Sequence, residues 1–509
     1  MTALERLAGG VLCVGFRGDT PATAPLDELC ALAPGGIVLF SRNLSASPER
    51  NRELVNAIRE ALGGALFAID QEGGRVVRLR RGALALPSAM AVAASGEPSA
   101  ANLLALGVAG DLRAIGVDLN FAPVADLALA ACGTVIGTRA YSDDPQRAAA
   151  LVAATVRGLR RGDIGATLKH FPGHGATAVD SHAALPVLEV DGATLRAREF
   201  VPFEAGIAAG ARAVMVGHLL VPALDREWPA SLSRRAIGDV LRRELGFEGV
   251  VVTDCLQMDA IAKGVGTVRA VVLALAAGAD MLAISHDLSI ARAARDAIVA
   301  AVQSGELSRA ALEAAAARVA GLRRDSWAPF EEFDAREVAQ HIARCAITLV
   351  RGSAALPRDR PVNVISFEGG AGDGVAPDSA ASVPLHLALR RRRVPAELLR
   401  VALAPDEEML ENLCALVASQ RDRSVVIVMR RAHVHEAQAR AIDALLGLVP
   451  EAIVVSALEP FDLSRFPQAR TMLCTYGDDE TAIDALADIL AGVATPAGSL
   501  PVALERVAS

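Results

Sequence analysis

Short runs of Val, Ile and Leu, each followed by a longer segment with Ala, Leu and Arg at helical spacing, recur through the first 300 residues. Such continuous apolar runs mark strands buried on both faces, and their alternation with helical patterns marks βαβ units and a parallel sheet. The pattern predicts strands over residues 11–16, 36–40, 66–70, 117–121, 166–170, 213–218, 250–254 and 280–285. Eight units in a row predict an N-terminal (β/α)8 TIM-like barrel.

A helix predicted over 308–324 closes this region, and "RDSWAPFEEFDARE" then breaks the pattern with proline and acidic residues. We read residues 1–325 as the barrel, 326–345 as a linker and 346–509 as a smaller α/β (αβα sandwich) domain. In that domain, predicted strands at 347–350, 362–367, 424–429, 452–456 and 472–476 alternate with helical segments such as 407–419 and 436–448. "EGGAGDG" at 368–374 follows a strand but lacks the lysine and the spacing of a phosphate loop, so it reads as a plain loop. "RRRR" at 390–393 reads as a solvated helix end. No repeat with a period of 20–50 residues is present.

A barrel makes a demand: its chemistry belongs at the carboxyl ends of the strands, where the βα loops gather. Those ends carry Arg42, Asp70, Asn120 with Asp126, Lys169 with His170, His218, Asp254 and His286. Three stretches concentrate the titratable groups: "AIDQEGGRVVRLR" (68–80), "KHFPGHGATAVDSH" (169–182) and "GVVVTDCLQMDA" (249–260). Asp254 fits two roles, a carboxylate nucleophile or base at the barrel mouth, or an N-cap for the helix expected after it. Asp180 and His182 fit a dyad in which the carboxylate orients the imidazole and supports its charged form, or a solvent-facing turn. The glycines before them suit a loop that moves. Arg78, beyond a Gly-Gly turn, fits a ligand contact or an ion pair to Asp70 or Glu72.

His170, His174, Asp180 and His182 are also metal-ligand types. However, the first strand, "LCVGFRGD", lacks the His-x-His pair usual in metal-dependent barrel hydrolases, and neither a dinucleotide fingerprint nor a Walker loop occurs, so neither metal nor cofactor is expected.

Composition narrows the partners. The net charge is −8 with no long basic stripe, which gives nucleic acid and anionic membranes no electrostatic support and leaves a small molecule as the expected partner. No run of eighteen apolar residues and no leader-like N-terminus is present, and the seven cysteines are scattered without a CxxC pair. The expectation is a cytoplasmic protein with reduced thiols. Aromatics make up only 3% of the chain, so recognition must lean on polar groups, with Trp228 and Tyr141 the candidate platforms or, more simply, packing residues. Oligomeric state leaves no mark on the sequence.

"IDQEGGRVVRL", "GVDLNFAPVADL", "IGTRAYSDDP", "KHFPGHGATAVDSH" and "GFEGVVVTDCLQM", in this order, resemble the family 3 glycoside hydrolases. Within the family the resemblance is to the β-N-acetylglucosaminidases of the NagZ type, which act on cell-wall fragments. It spans roughly residues 10–325, and "PAGSLPVAL" near the C-terminus is similar to the end of the family's sandwich domain. The resemblance implies an exo-acting, retaining enzyme that removes terminal N-acetylglucosamine from muropeptides. It implies Asp254 as the nucleophile, His182 as a mobile general acid/base with Asp180 as its partner, and Asp70, Arg78, Arg139, Lys169 and His170 as sugar-binding residues. A histidine in place of a carboxylate base would not repel an anion, so a phosphorylase acting on β-N-acetylglucosaminides or β-glucosides is an alternative. So is a β-glucosidase or β-xylosidase of the same fold, although these usually lack the "KHFPGHG…DSH" loop. A non-catalytic sugar-binding protein would be expected to lose Asp254 or His182, and both are present.

Overall fold

The computed structural model describes residues 1–129, 135–177, 185–323, 333–369 and 384–504. Its first sheet joins β1 (Leu12–Val14), β2 (Gly36–Leu39), β3 (Leu66–Ile69), β6 (Leu119–Asn120), β7 (Gly165–Phe171), β8 (Ala213–Val216), β9 (Val250–Thr253) and β10 (Leu282–Ile284). All pairings in the order β10-β1-β2-β3-β6-β7-β8-β9 are parallel, and a parallel bridge from Val252 to Met281 brings the last strand of this order against the first. The result is the expected (β/α)8 barrel. A small hairpin, β4 (Gln71–Gly73) and β5 (Val76–Val77), follows β3 and was not legible in the sequence.

Side chains alternate across each strand with a period of two. Cys13, Val38, Leu66, Ala68, Leu119, Ala213, Met215, Val250, Val252 and Met281 form one cluster that fills the barrel interior. Their neighbours Leu12, Val14, Ile37, Leu39, Phe67, Ile69, Leu168, Val214, Val251 and Leu282 belong to the larger cluster shared with the surrounding helices. This alternation has a direct consequence at the strand ends. Continuing the inward series 66, 68 gives Asp70; 250, 252 gives Asp254; and Lys169 has the opposite parity to outward-facing Leu168. Strand periodicity therefore aims these three charged groups at one barrel mouth.

The second domain is a six-stranded sheet in the order β11-β16-β15-β14-β12-β13. Its strands are β11 (Thr348–Arg351), β12 (Val362–Glu368), β13 (Ala396–Ala402), β14 (Ser424–Met429), β15 (Ile453–Ser456) and β16 (Thr471–Cys474). All pairings are parallel except β11 with β16. Two apolar clusters, one centred on Ile365, Ile427 and Val454 and the other on Val364, Val426 and Val455, cover its two faces. The sequence pattern missed β13, an edge strand whose "AELLRVA" carries charged residues and is buried at only two positions.

The linker expected over 326–345 is corrected in part: Arg336–Ala346 is a helix. Ala339, Ile342, Ala343 and Ala346 are buried at i, i+3, i+4 and i+7, one apolar stripe on an otherwise polar helix. That stripe packs against barrel helices Ala89–Ala94 and Pro98–Ile115 and against Glu480–Leu490 of the second domain. The segment is thus a strut between the domains.

The domains also share a core. Met90, Ala94, Val124, Ala128, Ile136 and Ala140 of the barrel loops pack in the same cluster as Phe461, Phe466 and Tyr476 of the second domain. Polar contacts flank it: Ser88 Oγ donates to the Tyr476 carbonyl at 2.7 Å, Arg147 Nη1 to the Leu500 carbonyl at 3.2 Å, and the Ala503 amide to Asp143 Oδ2 at 2.6 Å.

Candidate active site

A cavity of about 150 Å³ opens at the carboxyl ends of the barrel strands, bordered by Asp70, Glu72, Arg78, Arg139, Lys169, His170 and Asp254. Three acidic and four basic or imidazole side chains converge there; Lys169 and His170 are buried and the other five are partly exposed.

Lys169 lies toward the carboxyl end of β7, a strand with every residue buried. Its Nζ donates to Asp70 Oδ1 at 2.8 Å and to Glu72 Oε1 at 2.5 Å. Arg139 grips Glu72 with two parallel bonds, Nε to Oε2 at 2.8 Å and Nη2 to Oε1 at 2.9 Å, while Arg78 Nη2 lies 3.4 Å from Asp70 Oδ2. Burial pushes the Asp70 and Glu72 carboxyls upward. For Asp70, Lys169 and Arg78 outweigh it; for Glu72, Arg139 and Lys169 do; both stay below the usual carboxylate range. Burial likewise opposes the charge on Arg139, and Glu72 reverses that effect, holding the guanidinium charged.

His170 is fixed from behind. Asp126 Oδ2 sits 2.7 Å from His170 Nδ1, and Asp126 Oδ1 accepts the backbone amides of His170 at 3.0 Å and His174 at 2.7 Å. Burial would raise the Asp126 carboxyl, but His170 more than offsets this and holds it down. A proton on His170 Nδ1 directed at Asp126 leaves Nε2 facing Arg139, 3.5 Å away. His174 is buried too, with Thr177 Oγ1 at 2.6 Å from its Nδ1; burial lowers its pKa and favours the neutral ring.

Asp254 follows β9 and borders the same cavity. Its amide donates to the Val216 carbonyl at 3.0 Å, and its Oδ1 accepts the Cys255 amide at 2.7 Å. The next helix starts only at Asp259, with Met258 in the N-cap position, so the capping reading of Asp254 does not hold. His218, at the end of β8, is buried with Nε2 3.0 Å from the Cys255 carbonyl and Nδ1 2.8 Å from Ser231 Oγ, which ties the two strand ends together. Asp180 and His182 lie outside the described residues.

The residues expected to bind sugar, Asp70, Arg78, Arg139, Lys169 and His170, all line this cavity, whereas Glu72 and Asp126 were not given their places by the sequence. Glu72 was visible in "IDQEGG" only as an ion-pair partner, and it turns out to be the hub that joins Lys169 to Arg139. The hairpin β4–β5 positions it, with Gln71 Oε1 accepting the amides of Arg78 and Leu79, each at 3.0 Å, across the turn. Tyr141 is buried with its hydroxyl 2.7 Å from Thr155 Oγ1, a packing residue rather than a platform.

Residues 20–322 match the family model described as the glycosyl hydrolase family 3 N-terminal domain. The chain belongs to glycoside hydrolase family 3. A β-hexosaminidase from Stenotrophomonas maltophilia is 42% identical over 311 residues, 59% of this chain and 90% of that protein. One from Xylella fastidiosa is 44% identical over 284 residues, 54% of this chain and 83% of that protein. Among solved structures, a family 3 β-N-acetylglucosaminidase from Paenibacillus is 32% identical with a TM-score of 0.93, covering 100% of both chains. This glycoside hydrolase therefore shares its barrel with the curated relatives and its whole two-domain architecture with the Paenibacillus structure.

In this family 3 enzyme the second domain reaches the site loop. Gly137, two residues before Arg139, has φ +46, and a Cβ placed there would lie 2.3 Å from Oε1 of Glu459, a buried residue that follows β15. The turn that presents Arg139 is thus moulded against the second domain.

Proposed function

We propose that this family 3 glycoside hydrolase is an exo-acting β-N-acetylglucosaminidase that releases terminal N-acetylglucosamine with retention of configuration. The observation that carries the reading is that a carboxylate, Asp254, lines the same small cavity as the cation and carboxylate cluster of Asp70, Arg78, Arg139, Lys169 and His170. The names of the relatives support the same substrate.

Asp70 accepts hydrogen bonds from hydroxyls of the terminal sugar, Lys169, Arg78 and Arg139 donate to others with charge assistance, and His170, its Nδ1 proton directed at Asp126, accepts at Nε2. With the ring fixed, Asp254 attacks the anomeric carbon while His182 gives a proton to the departing glycosidic oxygen. A glycosyl ester to Asp254 and a free aglycone result. His182, now neutral, takes a proton from water as that water attacks the same carbon, and the ester bond breaks to return Asp254 and release the sugar. Two inversions give net retention. Asp180 orients His182 and supports its charged form. The small cavity suits a single terminal ring, as exo action requires.

The substrate we infer is a cell-wall muropeptide or a related glycoside, handled in the cytoplasm. No helix among the described residues is long and apolar enough to cross a membrane. A panel of p-nitrophenyl glycosides tests the reading: release is expected from the N-acetylglucosaminide well above the glucoside and xyloside. Strong release from the glucoside with none from the N-acetylglucosaminide contradicts it.

A further inference from the structure

The strut helix Arg336–Ala346 carries a second constellation, away from the barrel mouth. His341 and Cys345 sit at i and i+4, one above the other on the same face. Glu97, at the N-cap position of barrel helix Pro98–Ile115, meets them from across the junction. His341 Nε2 is 2.7 Å from Glu97 Oε1 and 3.6 Å from Cys345 Sγ, and one ligand atom from each of the three lies within 4.8 Å of the others.

We propose that Glu97, His341 and Cys345 form a zinc-binding site that fastens the interdomain strut to the barrel. The three side chains are a thiol, an imidazole and a carboxylate, the set that zinc takes in its tetrahedral protein sites. A tetrahedral zinc with bonds of about 2.3 Å to sulfur and about 2.0–2.1 Å to nitrogen and oxygen spaces S and N about 3.5–3.6 Å apart, and N and O about 3.3–3.4 Å apart. Cys345 Sγ lies 3.6 Å from Nε2 and 3.9 Å from Nδ1, so the exposed His341 ring must turn to aim its Nε2 lone pair between the sulfur and the carboxylate. The nitrogen–oxygen spacing needs an opening of about 0.6 Å, a small rotation for a partly exposed glutamate. An ion pair accounts for Glu97 with His341, yet it does not call for a thiol against the same imidazole. On binding, the Cys345 thiol releases its proton to solvent, the imidazole enters neutral, and water fills the fourth position.

The location gives the site a consequence. The strut packs on both domains, and β11 starts two residues after it ends. A metal joining it to Glu97 fixes the second domain's tether, and with it the wall against which the Arg139 turn is moulded.

The experiment uses the full-length, untagged, metal-free protein, titrated with zinc by calorimetry and with cobalt(II) by absorption, alongside Cys345→Ser, His341→Gln and Glu97→Gln. Wild type is expected to bind one zinc per chain and to show a thiolate-to-cobalt charge-transfer band. Cys345→Ser is expected to lose that band, and each variant is expected to lose more affinity than the roughly 10–100-fold that removal of an outer-shell partner costs. Zinc should raise the thermal midpoint of wild type and leave that of Cys345→Ser unmoved. Absence of a one-to-one site in wild type overturns the proposal, as does a cobalt band or zinc affinity unchanged in Cys345→Ser.

Discussion

Lys169 Nζ lies between two carboxylates, 2.8 Å from Asp70 Oδ1 and 2.5 Å from Glu72 Oε1, with only 3% of its side chain exposed. An ammonium has three donors. Two are committed to the acids, and under the proposed function the third is the one that would meet a sugar hydroxyl.

Lys169→Met removes the cation and leaves two neighbouring buried acids to Arg78 and Arg139. Breaking a buried ion pair by removing one partner costs about 3–5 kcal/mol, an upper bound here because both arginines remain. Urea unfolding should show a lower midpoint at unchanged slope. Loss of one charge-assisted hydrogen bond to substrate should lower kcat/KM by about 10–100-fold.

The same cluster sets an acid limit. Asp70 and Glu72 are held below their ordinary carboxyl range by the cations around them. The unfolded chain therefore takes up protons at these groups near their unperturbed values of about 4 while the folded chain does not. Their contribution to stability is complete above that pH and is lost progressively as pH falls below about 4 toward the folded values. Thermal midpoints measured from pH 6 downward should fall, and the fall should be shallower in Lys169→Met, where the folded carboxyls lose their main cation. Parallel curves for the two proteins contradict this.

Gly137→Ala forces a side chain into the left-handed region and onto Glu459. Backbone strain of this kind costs about 1–3 kcal/mol. Because Arg139 sits two residues on, KM should rise with the loss of stability. Gly137→Ala/Glu459→Ala should recover part of both, a coupling of roughly 0.5–3 kcal/mol between residues in contact across the domains. Simple additivity would mean the second domain does not hold the turn.

His182→Ala should discriminate between leaving groups. Activated aryl glycosides, which need little protonation, should lose less in the first step than natural disaccharides. Equal losses would make the dyad a loop-shaping element only. Because a neutral imidazole does not repel an anion, inorganic phosphate is expected to give some sugar 1-phosphate beside free sugar in wild type; free sugar alone at high phosphate contradicts that part of the account.

All eight barrel strands and the strand-end position of Asp70, Lys169, His170 and Asp254 were legible in the sequence, because buried parallel strands leave continuous apolar runs and a charge directly after one must lie at a strand end. Edge strand β13 was not, since its exposed positions carry charge. The strut helix was masked by proline and acidic residues just before it, although Ala339, Ile342, Ala343 and Ala346 hold the helical spacing. Glu72 and Asp126 escaped for a different reason. Each acts through a partner 67 and 44 residues away, Arg139 and His170, and local pattern says nothing of such pairs. The capping reading of Asp254 failed because four residues separate it from the next helix, a gap that "CLQM" does not announce.

The central claim is that Asp254 forms a covalent bond to N-acetylglucosamine, and trapping tests it most directly. Wild-type protein incubated with a slow, activated fluoroglycoside of N-acetylglucosamine, then digested and sequenced by mass spectrometry, is expected to carry one sugar, on Asp254, while Asp254→Ala stays unlabelled, folded and without measurable turnover. A sugar on another residue, or turnover near the wild-type rate in Asp254→Ala, would contradict the account.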